Sequence, residues 1–216
     1  MTTLAQNFIA FAQEHGILQF GEFKTKAGRM SPYFFNTGLF SRGSSLAKLA
    51  AFYSEALYAQ PLAFDVIFGS AYKGIPLACA IALQFAAQNR DVAFCFNRKE
   101  LKDHGEGGAI IGAPLSGNVL IVDDVLSAGT SIRESMALIR AHQATAVGVI
   151  VALDRMEQAD HGVGARQSIV EDYGLPVIAI ASLKDIMDFL AKHDLVHWQA
   201  LRAYQTRYGC CPGGTK

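Results

Sequence analysis

Four apolar residues in a row, Val119, Leu120, Ile121 and Val122, constrain this chain more than any other stretch. The run is too short for a helix and is β-branched in the way of a strand buried on both faces, so it predicts a central parallel strand. Two carboxylates, Asp123 and Asp124, follow at its C-terminal end; then come the small residues Ser127, Ala128, Gly129, Thr130 and Ser131, and helical spacing from Ile132 to Ala141. The same order of strand, loop and helix recurs. Strand Phe64–Gly69 runs through GSAYKGIP into helix Leu77–Ala87, and strand Val92–Phe96 follows. Strand Ala144–Leu153, helix Ala165–Tyr173, strand Pro176–Ala181 and helices Leu183–Lys192 and Val196–Tyr208 complete the series. Such repeats need right-handed crossovers, which predicts an α/β fold with a doubly wound, mostly parallel sheet.

In open α/β sheets ligands bind outside the carboxyl ends of the strands, and a helix N-terminus offers a phosphate unpaired N–H groups and a positive dipole end. Small residues let backbone approach the ligand, and the hydroxyls of Ser127, Thr130 and Ser131 add hydrogen bonds to phosphate oxygens. Two adjacent carboxylates suit a vicinal diol, each accepting a charge-assisted bond from a ribose hydroxyl. The expected ligand is a ribose 5-phosphate moiety. A bare Asp-Asp turn with a Ser/Thr helix cap would give a similar local pattern, and the buried strand in front of it weighs for the ligand. Taken together, the thirteen residues Val119–Ser131 resemble the phosphoribosyl-pyrophosphate (PRPP) signature of the type I phosphoribosyltransferases. That signature is specific to the superfamily and not to the base.

The remainder of the chain sets bounds. Its 216 residues, 51% hydrophobic, can bury a full core and fit one domain over residues 1–208, with 209–216 expected as a flexible tail. Zero formal net charge leaves no overall basic field to hold nucleic acid or an anionic membrane, so any anion must be met by a local cluster. The N-terminus lacks a positive n-region and no stretch reaches a membrane span, so the protein is expected in the cytoplasm. Cys79, Cys95, Cys210 and Cys211 show no metal or redox spacing. Cys79 and Cys95 read as buried thiols, and Cys210 and Cys211 as part of a frayed GCCPGGTK end.

Ahead of the first core strand, Leu4–Glu14 has amphipathic helical spacing that Gly16 ends, and Ser44–Tyr58 reads as a helix with Ser44 or Ser45 as N-cap. Between them, aromatic residues mixed with Gly21, Gly28, Pro32 and Gly38 predict short antiparallel strands, a hood over residues 17–40 outside the main sheet. Lys73, in the loop after a core strand, faces the same ligand edge as Asp123 and Asp124, although position alone fits a solvated loop lysine as well. Gly69 and Gly74 beside it favour close approach to a pyrophosphate. The polar connection NRKELKDHGEGGAIIGAP carries Arg98, Lys99, Lys102 and His104 beside Gly105, Gly107, Gly108 and Gly112. A long irregular connection of this kind reads as a lid over about 98–112, with cations for a leaving pyrophosphate.

The segments KTKAGRMSPYFFNTGLF, FGSAYKGIPLA, FNRKELKDHGEGG and LDR are similar to orotate phosphoribosyltransferases of the bacterial kind along nearly the whole chain, the end after about Tyr208 excepted. The resemblance implies a five-stranded core sheet with a hood over its C-terminal edge. It implies that Lys26, Tyr72, Lys73 and the stretch Asp123, Asp124, Val125, Leu126, Ser127, Ala128, Gly129, Thr130 and Ser131 bind PRPP. Arg98, Lys99, Lys102 and His104 would reach the pyrophosphate from the neighbouring subunit of a homodimer. Catalysis would fall to Lys102, His104, Asp123 and Asp124, and orotate to Phe34, Phe35, Ser127 and Arg155. By themselves Phe34 and Phe35 read more readily as core aromatics, since aromatics mostly serve packing, whereas Arg155, directly after a strand, suits bidentate pairing with a carboxylate. Ser127 stands where relatives commonly carry threonine, and both supply a hydroxyl.

The implied reaction moves the 5-phosphoribosyl group from PRPP to N1 of orotate, with Mg²⁺ carried in by PRPP and no dedicated metal cage. One rival is a transferase for a purine or for uracil. The other is a non-catalytic PRPP sensor that binds nucleic acid, which would need a basic face or a further domain.

Overall fold

The main sheet contains six strands in the spatial order β5 (Ile110–Gly112), β4 (Ala93–Asn97), β3 (Val66–Gly69), β6 (Asn118–Leu126), β7 (Thr145–Asp154) and β8 (Val177–Ser182). All neighbours run parallel except β5, which lies antiparallel on β4. The structure is a computed structural model that describes residues 3–25, 28–99, 109–158 and 163–210.

Strand alternation divides the core in two. On β6, Leu120 and Val122 point into a cluster with Ile67, Ile150, Ala152 and Ile180, while Val119 and Ile121 point into a second with Phe68, Val149, Val151 and Val177. The four β6 residues are 0% exposed, and burying each stabilises the fold by about 1.5–3 kcal/mol. Residues from α1 (Leu4–Glu14), α2 (Gly43–Tyr58), α3 (Gly74–Ala87), α6 (Leu183–His193) and α7 (Leu195–Tyr208) fill the first cluster. Residues from α4 (Thr130–Ala141) and α5 (Ala165–Tyr173) fill the second. No helix among the described residues is long and apolar enough to cross a membrane.

The hood is an antiparallel hairpin of β1 (Leu18–Lys24) and β2 (Met30–Phe35), followed by a short 3-10 turn, Thr37–Leu39. Its aromatics anchor it: Phe35 sits 6.0 Å from Phe8 of α1, whose ring also meets Phe52 of α2 edge-on at 5.4 Å.

Several expectations are corrected. The sheet has six strands and not five, because residues 110–112 of the connection taken as irregular add the edge strand β5. Helix α3 starts at Gly74, three residues earlier than its apolar spacing suggested. Neither Ser44 nor Ser45 caps α2. Arg42 holds the cap position with no side-chain bond, and Ser45 Oγ donates to the Arg42 carbonyl instead, at 2.9 Å. Gly209 and Cys210, taken as part of a frayed end, are tied down: Gly209 bridges Glu157, and Cys210 N–H donates to the Met156 carbonyl at 2.8 Å. Cys211 lies outside the described residues.

Candidate active site

Strand order creates the cleft. The chain steps from β3 outward to β4 and later returns on the other side of β3 as β6, so the loops after β3 and β6 lie side by side at the carboxyl edge, where such reversals open a crevice. The two loops meet through an ion pair: Lys73 Nζ stands 2.7 Å from Asp124 Oδ2. Gly69 and Gly74 make this possible by packing on each other, because a Cβ on Gly69 would lie 2.1 Å from the Gly74 carbonyl oxygen. The bareness expected to admit a pyrophosphate is thus used between strand and helix.

Strand β6 runs on through both carboxylates to Leu126 and does not stop before them as expected. Alternation therefore sends the two acids to opposite faces. Asp124 turns toward the hood, where its Oδ2 accepts from Thr37 Oγ1 at 2.8 Å as well as from Lys73, and its Oδ1 has no partner among the described residues. Asp123 turns toward α4, accepting from Ser131 Oγ and, on Oδ1, from the Asp124 N–H at 2.9 Å. Both are 7% exposed.

Burial, then the neighbouring Asp124 charge, pushes the Asp123 carboxyl up to about 6, against the opposing pull of Ser131, the Asp124 N–H and Lys73. A carboxyl that holds its proton more tightly folded than unfolded lowers stability when it ionises. The penalty is absent below the unfolded value near 3.8, grows as pH rises to about 6, and is constant above, on the order of 3 kcal/mol. Asp123→Asn is therefore expected to unfold at a higher temperature than wild type at pH 7, with the difference shrinking toward pH 4. Thermal melts across that range check it. A gain that stays level down to pH 4, or no gain at all, would mean that the fold does not push the Asp123 carboxyl up.

The cradle after β6 has the form expected. Gly129 occupies the N-cap of α4 with φ of 73°, a left-handed value that glycine tolerates, and no side chain caps the first turn. Its N–H groups are left for a ligand. Arg133, which sequence reasoning passed over, donates to the Ala128 carbonyl at 2.8 Å and braces the turn.

A cavity of about 610 Å³ gathers these parts. Among its lining residues are Lys73, Asp124, Val125, Ser127, Ala128 and Thr130 from the sheet edge, Phe34 and Phe35 from the hood, and Arg155 after β7. Phe34 is 40% exposed and stacks on Phe23, ring centroids 5.3 Å apart, whereas the Phe35 ring packs in the core. Arg155 is buried against Tyr33, its guanidinium carbon 4.3 Å from the ring centroid, with Glu157 Oε1 2.7 Å from Nη2. Burial disfavours its charge, but Tyr33 and Glu157 outweigh that effect and hold its pKa above the usual arginine value. The Tyr33 hydroxyl is itself buried with no hydrogen-bond partner among the described residues.

Leu126 and Gly129 are buried, and Asp123 and Ser131 bond each other without lining the cavity. Tyr72, Arg98 and Lys99 do not line it either. Tyr72 is 65% exposed, with Lys99 Nζ 5.4 Å from its ring, and the Arg98 N–H is held by the Ala109 carbonyl at 2.7 Å. Lys26, Lys102 and His104 fall outside the described residues. Thr37, Glu157, Phe23 and Arg29 were not singled out from sequence. Their polar and aromatic types are common in loops and strands, and Thr37 and Arg29 meet partners far along the chain, Asp124 and Gln158.

Residues 41–164 match the phosphoribosyl transferase domain family. Among curated relatives, orotate phosphoribosyltransferase of Laribacter hongkongensis is 56% identical over 211 residues, covering 97% of this chain and 99% of that protein. The enzyme of the same name from Chromobacterium violaceum is 53% identical, again over 97% and 99%. Among solved structures, orotate phosphoribosyltransferase of Francisella tularensis superposes with a TM-score of 0.85 at 37% identity, covering 94% of this chain and 99% of that one. With relatives this similar over nearly the whole length of both partners, and a phosphate cradle and paired acids at the sheet's carboxyl edge, the chain belongs to the orotate phosphoribosyltransferase family.

Proposed function

We propose that the chain transfers the 5-phosphoribosyl group from PRPP to N1 of orotate, giving orotidine 5′-monophosphate and pyrophosphate in the synthesis of pyrimidine nucleotides. The observation that carries this reading is the convergence of Asp124, the uncapped start of α4 and Arg155 on one cavity. The 5-phosphate is taken by the N–H groups at the start of α4 and by the hydroxyls of Ser127 and Thr130, while the Ser131 hydroxyl stays on Asp123. Asp124 Oδ1 accepts from a ribose hydroxyl, and as positive charge grows on the ribose ring this contact strengthens. Arg155 pairs with the orotate carboxylate, and Phe34 offers a flat apolar surface to the ring.

No group of three or more His, Cys, Asp or Glu side chains among the described residues is placed to hold a metal. The open Oδ1 of Asp124 suits a water of a hydrated ion, so Mg²⁺ riding on the diphosphate fits this cleft and would help neutralise the leaving group. Lys102 and His104 are assigned to that leaving group across a homodimer. The outward face of α3 supports such an assembly: Leu83 is 72% exposed on a helix with no charged residue, and Tyr58 stands 54% exposed beside it. The cytoplasm is the proposed site of action.

Initial rates with orotate and PRPP, followed by loss of orotate absorbance, test the reading, with adenine, guanine and uracil in parallel. PRPP consumption that requires one of those bases and not orotate would overturn it.

A further inference from the structure

Arg155 is held by more than its own strand. Beyond β7 the chain turns at Met156, which takes a φ of 50° and donates its N–H to Asp154 Oδ1 at 2.9 Å. Asp154 is fixed in turn by Arg166 Nε at 2.7 Å. Within this turn Arg155 Nε and Nη2 both reach Glu157 Oε1 at 2.7 Å, and Nη2 also donates to Ser31 Oγ at 3.2 Å. The Tyr204 hydroxyl of α7 donates to the same Oε1 at 2.9 Å. Backbone bonds from Gln158 N–H to the Tyr208 carbonyl and from Cys210 N–H to the Met156 carbonyl, each 2.8 Å, seal the turn to the end of α7.

One edge of the guanidinium is thus occupied. Nη1, which carries two N–H groups, has no hydrogen bond among the described residues, and Arg155 lines the 610 Å³ cavity. Tyr204 does not. It lines a separate cavity of about 640 Å³ between the hood and α7.

We propose that Glu157 and Tyr204 are positioning residues for Arg155, so that helix α7 sets how the base site meets its substrate's carboxylate; this rests on the assignment of Arg155 to orotate made above. An unsupported arginine samples many rotamers and loses that freedom when it binds a carboxylate. Locking Nε and Nη2 on a carboxylate that is itself locked by Tyr204 removes the loss in advance and presents Nη1. Glu157 also has an opposite effect, because its negative charge weakens the pull of Arg155 on an anion. The two effects have opposite signs in the Michaelis constant, so the experiment separates them.

Steady-state kinetics of Tyr204→Phe, Glu157→Ala and Arg155→Ala, with orotate and PRPP varied separately, test the proposal. Tyr204→Phe leaves every charge and every residue lining the 610 Å³ cavity in place. It is expected to raise KM for orotate about threefold to tenfold, with KM for PRPP within about twofold of wild type. Glu157→Ala should raise the orotate KM by about tenfold to a hundredfold, and Glu157→Gln, which keeps an acceptor oxygen, by less. A merely structural role would lower kcat through loss of folded enzyme and leave both KM values alone. That result, or a lower orotate KM in Glu157→Ala, overturns the proposal. Arg155→Ala separates the two levels. If it raises the orotate KM while Tyr204→Phe and Glu157→Ala do not, positioning fails alone; if it leaves that KM unchanged, the assignment of Arg155 fails and positioning falls with it.

Discussion

Asp124→Asn is expected to lose about two to three orders of magnitude in turnover, the amount that one preorganised electrostatic contact to a developing charge supplies. Its unfolding temperature should move by only a few degrees. The ion pair it loses is half exposed at its Lys73 end, and such pairs contribute about 0–1 kcal/mol. The Thr37 bond survives, because an asparagine carbonyl accepts from a hydroxyl as a carboxylate does. The asparagine keeps volume and polarity but no longer stabilises positive charge on the ribose, so kcat should fall more than KM rises. Pre-steady-state turnover and thermal melts on the same preparation give both quantities. Turnover within about threefold of wild type would remove Asp124 from the chemistry.

The second large effect concerns the proposed homodimer, in which Lys102 serves the partner's cleft while Asp124 serves its own. Lys102→Ala and Asp124→Asn homodimers should each be nearly inactive, since every site carries a lesion. In a mixed dimer one site collects both lesions. The other combines the intact Asp124 of one subunit with the intact Lys102 of its partner. Random re-pairing makes about half the dimers mixed, each with one sound site, so activity should return to roughly a quarter of wild type. Denaturing and refolding the two variants together, with mixed dimers confirmed by mass, gives the answer. No gain over the separate variants would place Lys102 in its own subunit's cleft.

Expectations held where they depended on neighbours in the chain. The cradle is legible because Ser127 to Ser131 are consecutive and the helix behind them has a clear period, and α1 and α5 have the limits their spacing gives. Errors came at boundaries. Ending the central strand at Val122 hid the fact that Asp123 and Asp124, being one residue apart on a continuing strand, must face opposite ways. The same alternation separates Phe34, exposed beside the cleft, from Phe35, whose ring joins the core.

The sequence by itself determined the α/β class, the order of its units and the residue types that can hold a ribose phosphate, since hydrophobic period and turn chemistry act over a few residues. Only the tertiary structure decided which of these groups meet. Lys73 reaches Asp124 across 51 residues, Thr37 reaches it across 87, and Tyr204 reaches Glu157 across 47. Those meetings depend on β6 returning beside β3 and on α7 docking against the hood, which are set by packing over the whole core and leave no period in the chain. So Asp124 was visible from the start as a ligand for ribose, while the frame that aims Arg155 existed only once distant elements had packed together.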